Sequence, residues 1–425
     1  MKDILNNYKL PQPVLDEIEE AAKKRKLTAN QLKTILDNAQ KEFNDSKINA
    51  GEAIGVITAE SFGEPSTQMS IDFFEKVIIK IKNKIKIIEI GKFVDYLMEK
   101  YGSMKFNSAE ILPLDNLDVY VPSIDQEEKI KWKKVTEVSR HRAPSKLMKL
   151  STASGRKIIA TDNHSFVTRI NNKIVPILGK KLNMGDRIPV LKYLPEHCTG
   201  TLSVYKYVDF PDADDFRLTR RSNPTKLIPQ KLDLDFDFGW FIGAYLAEGN
   251  ALGGQLGISN LDDSYINNAK RFITKIGLAY RENYHHRGFA FSRDFIVNSA
   301  LLARFIRNTC GSGSAYKKVP EFAYSAKEDF VKGLLRGYFD GDGNVSVNRK
   351  MIRVSSNSEE LLDGIKLLLT RFGIFASKSK DNKQHYLIIP YKYAPIFLKK
   401  IGSDIEYKRK DLKKLAELAQ RNVFI

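Results

Sequence analysis

Cysteine is nearly absent from this chain: Cys198 and Cys310 are the only two in 425 residues, and they lie far apart. That excludes a disulfide framework and a cysteine-built zinc site, and it fits a reducing compartment. Long apolar runs are missing too. No stretch approaches eighteen apolar residues, and Met1-Lys2-Asp3 opens a charged, amphipathic segment rather than the apolar core of a signal peptide. A soluble, cytoplasmic protein with no membrane partner is expected. Acidic side chains are in the minority, fifty-one Asp and Glu against sixty-nine Lys and Arg, a formal charge of +18. The imbalance is uneven: residues 1–69 carry nine basic and eleven acidic side chains, leaving sixty against forty for the rest. A break near residue 70 follows, with a polyanionic partner such as nucleic acid for the basic part. At 28% charged and 42% hydrophobic, the length suits two to four folded domains rather than disorder.

Residues 12–43 read as two short helices. Val14, Ile18 and Ala21-Ala22 recur at helical spacing, and Thr28 with Gln31 makes a capping-box pattern ahead of Leu32, Ile35 and Leu36. The stretch from Gly51 to Phe62 reads as a small-residue helix stopped by Gly63 and Pro65. The period then changes to two. Val77, Ile79 and Ile81 alternate with Lys80 and Lys82, Asn83 marks a turn, and Ile85, Ile87 and Ile90 resume, which is a hairpin pattern. Further strands are expected at 117–121, 131–138, 146–150, 157–161, 165–170 and 187–190, with turns at Ser154-Gly155 and Asn171-Asn172. Residues 70–210 therefore read as one all-β module. Pro211, Pro224 and Pro229 with Arg217, Arg220 and Arg221 mark 211–230 as a solvated connector or a DNA-contacting arm.

The most specific signal is an internal repeat. Gly239-Trp240-Phe241-Ile242-Gly243-Ala244-Tyr245-Leu246-Ala247-Glu248-Gly249-Asn250 aligns without a gap on Gly333-Leu334-Leu335-Arg336-Gly337-Tyr338-Phe339-Asp340-Gly341-Asp342-Gly343-Asn344. Farther on, 273–278 matches 369–374. Two copies of one α/β unit are implied, arranged as a pseudo-twofold pair about the two motif helices. Those helices are apolar nearly all round, as buried helices are, and Gly239, Gly243, Gly333 and Gly337 allow two backbones to approach. Each copy ends in an acid followed by glycine, Glu248 and Asp342. A carboxylate at a helix C-terminus faces the unfavourable end of the dipole, and two side by side repel unless a divalent cation such as Mg²⁺ joins them.

Both segments resemble the motif of the LAGLIDADG homing endonucleases in its single-chain, two-motif form. The resemblance implies that Glu248 and Asp342 are the metal-holding catalytic acids, that Mg²⁺ is the cofactor, and that a curved sheet from each half lies on double-stranded DNA. Such enzymes often place a lysine on the strand after each motif. Neither 257–260 nor 353–357 supplies one, which leaves Lys378 and Lys380 as the nearest alternatives and weakened cleavage as an open outcome.

What precedes the repeat resembles an intein. Thr161-Asp162-Asn163-His164 is similar to the TxxH motif of that family, and the hairpin from Val77 is similar to its first strand pair. The resemblance makes Ser70 the nucleophile on the Met69 carbonyl, with Thr161 polarising the junction and His164 serving the amide nitrogen as acid or base. Still earlier, Gly51 to Gly55 and Glu60-Ser61-Phe62-Gly63-Glu64-Pro65-Ser66-Thr67-Gln68-Met69 resemble the start of the trigger-loop region in the archaeal A″ subunits of multisubunit RNA polymerases. Gln68 there matches a residue that approaches the nucleotide, and Ser66 stands where the family has glycine. Further polymerase subunits are the implied partners after splicing.

The expected architecture is thus multidomain. It comprises a short all-α extein over 1–69, an all-β splicing (Hint) domain with connector over 70–229, and an α/β endonuclease over 230–405, its repeats near 236–325 and 326–405. Residues 406–425 are expected to begin a return to the splicing fold. An intein ends in Asn before a nucleophile, whereas Asn422 precedes Val423. The expectation is that splicing needs more chain, either because this one is truncated or because a separate C-terminal fragment completes it. A free-standing endonuclease and a decayed DNA-binding insert are the rival readings. Lys318, in Lys317-Lys318-Val319-Pro320, is a candidate phosphate contact beside Arg220 and Arg221. His285-His286 reads as a DNA-facing loop rather than a metal pair, and both cysteines read as core residues.

Overall fold

The computed structural model describes residues 8–25, 27–45, 69–82, 84–106, 109–125, 127–144, 146–194, 199–208, 228–287 and 290–421. They fall into two units, 1–66 and 67–425. In the first, α1 (Gln12–Arg25) and α2 (Ala29–Asp45) pair through Ala22, Leu32 and Leu36, with Leu15, Ile18 and Leu27 around them. The capping box is present in both directions. The Thr28 amide donates to Gln31 Oε1 at 2.9 Å, and the Gln31 amide donates to Thr28 Oγ1 at 3.4 Å. The small-residue helix expected from Gly51 and residue Gln68 lie outside the described residues.

The second unit opens with the hairpin β1 (Lys76–Ile81) and β2 (Lys84–Glu89), then α3 (Ile90–Tyr101), β3 (Met104–Phe106), β4 (Ala109–Pro113), β5 (Val119–Ile124), β6 (Ile130–Lys134) and β7 (Glu137–His141). The strands form a four-stranded sheet, β2-β1-β5-β6, and a three-stranded one, β3-β4-β7. Helix α3 corrects the all-β expectation. Its Phe93, Val94, Leu97 and Met98 are spaced for one helical face, and they fill the small core between the sheets with Ile79, Leu112 and Val119. The period-two reading ran through Ile90 into that helix. Next come β8 (Met148–Ser151), β9 (Lys157–Ala160), β10 (Ser165–Ile170) and β11 (Lys173–Leu178). Asn171 and Asn172 both take positive φ, 49° and 60°, between the paired Ile170 and Lys173, as a two-residue hairpin turn requires. The strand expected at 187–190 is not formed, although Arg187 accepts from Thr168 Oγ1 through its carbonyl at 2.9 Å.

The duplicated body follows. A short pair, β12 (Thr201–Ser203) and β13 (Lys231–Asp233), leads into α4 (Phe236–Glu248), β14 (Gly249–Leu252), β15 (Gln255–Ser259), α5 (Asp263–Lys275), β16 (Arg281–Arg287), β17 (Ala290–Asn298) and α6 (Ala300–Cys310). The second copy is α7 (Glu328–Asp342), β18 (Gly343–Ser346), β19 (Met351–Ser356), α8 (Glu359–Thr370), β20 (Ser377–Lys380), β21 (His385–Pro390) and α9 (Ala394–Lys400). The sheet orders are the same, β14-β15-β17-β16 and β18-β19-β21-β20. Even the turns repeat. Gly277 and Gly373 take φ of 76° and 69° just after α5 and α8, where Leu278 and Ile374 donate back to Ile273 and Leu369.

Residues 202, 204, 208, 228, 232 and 234 share the core of this body, as does Ile85 of β2. The last helix, α10 (Glu406–Arg421), also belongs here. Its Leu412, Leu415 and Ala416 enter the same core, whereas the sequence reading made 406–425 the start of a return to the splicing fold.

Candidate functional site

The motif helices α4 and α7 form the seam between the copies. A Cβ placed on Gly239, Gly243, Gly333 or Gly337 would stand 2.0–2.2 Å from a carbonyl oxygen of the opposite helix, those of Phe330, Leu334, Phe236 and Trp240 respectively. Only glycine permits that approach. The Tyr265 hydroxyl, fully buried, fastens the seam by donating to Gly337 O at 3.2 Å. Both helices stop at the acids, and they stop together: the Glu248 side chain lies against Gly341, next to Asp342. Burial pushes both carboxyls up. Asp342 reaches about 6, with the Glu248 charge as the second cause.

Two lysines face this pair, and sequence reasoning assigned neither. Lys317, only 6% exposed, donates to the last-turn carbonyl of α4 at Ala247, at 3.3 Å. Lys408 does the same for α7, donating to Phe339, Asp340 and Gly341 at 3.1, 2.6 and 3.1 Å. Burial lowers both ammonium groups while the acids hold them up. They satisfy carbonyls that a helix end leaves open and oppose the negative end of each dipole. A signal for Lys408 was present. Residues 408, 412, 415, 416 and 419 make one buried stripe of α10, and a lysine occupies its first position. Lys378 is no substitute, since it is held by Glu359 at 2.7 Å and Asp363 at 2.9 Å.

Lys317 and Lys408 take helix-end carbonyls, and Glu248 and Asp342 add two carboxylates at the seam. Such a hard, partly desolvated pair fits a divalent cation. Among the described residues no cluster of three or more His, Cys, Asp and Glu is arranged to hold a metal. His285 and His286 lie on strand β16 rather than in a loop, the first 3.2 Å from Asp294 and the second against Phe291. Lys318 is exposed, while Arg220, Arg221 and Cys198 lie outside the described residues. Cys310 is wholly buried, its thiol pushed up to about 12 by burial.

The second site surrounds Ser70. Its amide donates to Thr161 Oγ1 at 3.1 Å, and the Thr161 amide donates back to Ser70 O at 2.9 Å. An Ile71–Ala160 bridge continues the pairing along the end of β9. Thr161 to His164 is a turn closed by the His164 amide on Thr161 O at 3.0 Å. His164 lines, with Met69 and Ser70, a cavity of about 1060 Å³. Burial lowers its imidazole, and its Nδ1 is buried without a hydrogen-bond partner. Sequence reasoning missed His141, whose Nε2 is hydrogen-bonded to Ser70 Oγ.

The description "RNA polymerase Rpb1, domain 5" matches residues 17–365. The chain belongs to that family. This Rpb1 domain 5 chain also matches the LAGLIDADG-like domain over 329–402, the second copy of the repeat. It is 42% identical over 419 residues to DNA-directed RNA polymerase subunit Rpo1C of Methanocaldococcus jannaschii, covering 98% of this chain and 48% of that one. It thus spans about half the length of that relative. Transcription initiation factor IIB of the same organism is 24% identical over 292 residues, or 68% of this chain and 37% of the relative. Among solved structures, the transcription factor IIB Mvu mini-intein is 32% identical, covering 30% of this chain and 72% of that one with a TM-score of 0.28. A structure of I-DmoI in complex with DNA and Mn is 12% identical, covering 40% and 99% with a TM-score of 0.33. The Rpo1C alignment runs across residue 70, so a polymerase subunit carries both the helical start and the duplicated body. A free-standing endonuclease with an unrelated extension is therefore disfavoured.

Among the described residues no helix is long and apolar enough to cross a membrane.

Proposed function

We propose that this chain is part of an archaeal RNA polymerase A″ precursor in which an intein, beginning at Ser70, carries a two-motif homing endonuclease. The observation that carries the reading is the meeting of Glu248 and Asp342 at the ends of a glycine-packed helix seam, in one body with the Ser70–Thr161 pairing. A divalent cation bound to the two acids supplies Lewis-acid stabilisation of the charge that builds on a phosphoryl group. The chain's own residues do the rest. Lys317 and Lys408 compensate the acids' charge and lie within the field of an incoming phosphate, and the basic surplus beyond residue 70 holds the DNA backbone. At the junction, Thr161 holds the Ser70 peptide, and His164, on the same cavity, would serve the departing nitrogen. Excision would return the flanks to a polymerase subunit that assembles with its partner subunits.

The experiment separates the two activities. DNA carrying the uninterrupted polymerase gene is incubated with the protein and Mg²⁺ or Mn²⁺, and the protein alone is treated with hydroxylamine, which cleaves esters. Asp342→Asn should abolish double-strand cutting and spare hydroxylamine cleavage at Met69–Ser70. Ser70→Ala should do the reverse. No cutting with either cation would reduce the duplicated body to a decayed insert.

A further inference from the structure

Hydroxyl chemistry at residue 70 needs a base, because a serine is far less acidic than the cysteine thiol, whose ordinary pKa is about 8.5. The geometry offers one. His141 closes β7, and its Nε2 is hydrogen-bonded to Ser70 Oγ from 71 positions downstream. Its other ring nitrogen, Nδ1, lies 2.8 Å from the carbonyl oxygen of Arg142. A carbonyl oxygen only accepts, so Nδ1 carries the ring proton, and in the neutral imidazole Nε2 is left with a free lone pair. Ser70 is then the donor and His141 the acceptor, the direction a base requires.

The imidazole is also held in place. His141 pairs with Ala109 of β4, and the preceding Arg140 is tied to Asp95 at 2.7 Å and Glu110 at 2.8 Å, which fixes the end of the strand. His164 lines the same cavity from the turn after β9. His141 thus reaches the Ser70 hydroxyl directly, and His164 shares the cavity that Met69 and Ser70 line.

We propose that His141 is the general base that takes the Ser70 hydroxyl proton during acyl transfer from nitrogen to oxygen. The assignment rests on the reading of Ser70 as the nucleophile. A bond forms between Ser70 Oγ and the Met69 carbonyl carbon, and the bond from that carbon to the Ser70 nitrogen breaks. The Oγ proton passes to His141 Nε2, His164 gives a proton to the departing nitrogen, and exchange through solvent restores both rings. Net, one proton moves from oxygen to nitrogen, and the amide becomes an ester with a free amine.

The test uses the full chain and hydroxylamine, with fragments 1–69 and 70–425 followed by mass spectrometry. The unsubstituted chain should cleave and Ser70→Ala should not. His141→Gln, which keeps a polar side chain of similar reach, should slow cleavage about 10²- to 10⁴-fold, the usual range for a lost acid–base catalyst. In a Ser70→Cys background, with a thiol as cleaving agent, the same His141→Gln change should cost less than tenfold, since a thiol ionises without help. Equal losses in both backgrounds, or a His141→Gln rate within threefold of the unsubstituted chain, overturn the assignment. Absence of any Ser70-dependent cleavage overturns the reading of Ser70 and this assignment with it. A measurement on the unsubstituted chain guards against misfolding of the variant. ¹⁵N spectra of His141 should show the proton on Nδ1, and a ring protonated on Nε2 alone refutes the base.

Discussion

The acid pair and the serine junction are two sites built on different principles. Glu248 and Asp342 stand at the ends of two helices whose backbones touch through four glycines, so their separation is set by main chain. Ser70, His141 and His164 come from three unrelated segments, joined by a few hydrogen bonds around a sizeable cavity. Duplication makes a symmetric site set by main chain, whereas assembly from separate strands makes one set by side-chain hydrogen bonds. The same contrast holds for neighbouring packing. A Cβ on Gly337 would strike the Trp240 carbonyl oxygen, while one on Gly91 would strike the ring of Phe73, a side chain that is 40% exposed.

The largest effect expected is on DNA cutting by Asp342→Asn, a loss of about 10³-fold or ~4 kcal/mol of barrier. The same change should stabilise the fold at neutral pH. Asp342 holds its proton up to about 6 when folded, against an ordinary 3.8, because burial favours the neutral form. Its contribution is therefore fully present below about pH 4 and is lost as the pH rises through 6. Removing the charge should stabilise the fold at pH 7 by up to ~3 kcal/mol and leave its stability unchanged at pH 4, measured by denaturation in chelator. A variant no more stable than the unsubstituted protein at pH 7 would show the carboxylate to be solvated after all.

Next is the seam itself. Gly337→Ala forces two helices apart and should cost ~3 kcal/mol or more in chemical denaturation. Gly91→Ala should cost less than ~1 kcal/mol, because a side chain gives way where a backbone cannot. Similar values for the two would erase the distinction between a site set by main chain and one set by side chains.

The same difference explains what the sequence showed. The acids were legible because Glu248 and Asp342 fall at matched positions of a gapless twelve-residue alignment in which three glycines and the final asparagine recur. The Asn171-Asn172 turn and the Thr28–Gln31 box were legible because local chemistry dictates them. Helix α3 was not, since an isoleucine-rich strand runs into it without a break in apolarity, and only the spacing of Phe93, Val94, Leu97 and Met98 marks the change of period. His141 carried no local signal at all, as its role depends on a contact across 71 residues. Lys408 was missed because a lysine in an amphipathic helix is ordinarily assigned to the wet face. Lys408→Met should test that point: it frees three carbonyls at the end of α7 and should lower stability by ~1–3 kcal/mol, while removing a counter-charge from the acids.

The smallest effect separates two adjacent lysines. Lys318 is exposed and its side chain can do no more than meet a phosphate, so Lys318→Ala should weaken DNA binding a few-fold and lower the slope of log affinity against log salt by about one. Lys317 is buried against Ala247 O and the Tyr245 ring, and it faces both acids. Lys317→Ala should leave the salt slope almost unchanged, since a side chain already compensated by Glu248 and Asp342 releases few counterions, yet it should slow cutting tenfold or more. Binding titrations at several salt concentrations, beside cleavage rates at saturating protein, resolve the two outcomes. If both substitutions lowered the slope equally, Lys317 would be a phosphate contact like its neighbour, and the compensating role that separates a buried lysine from an exposed one would be lost.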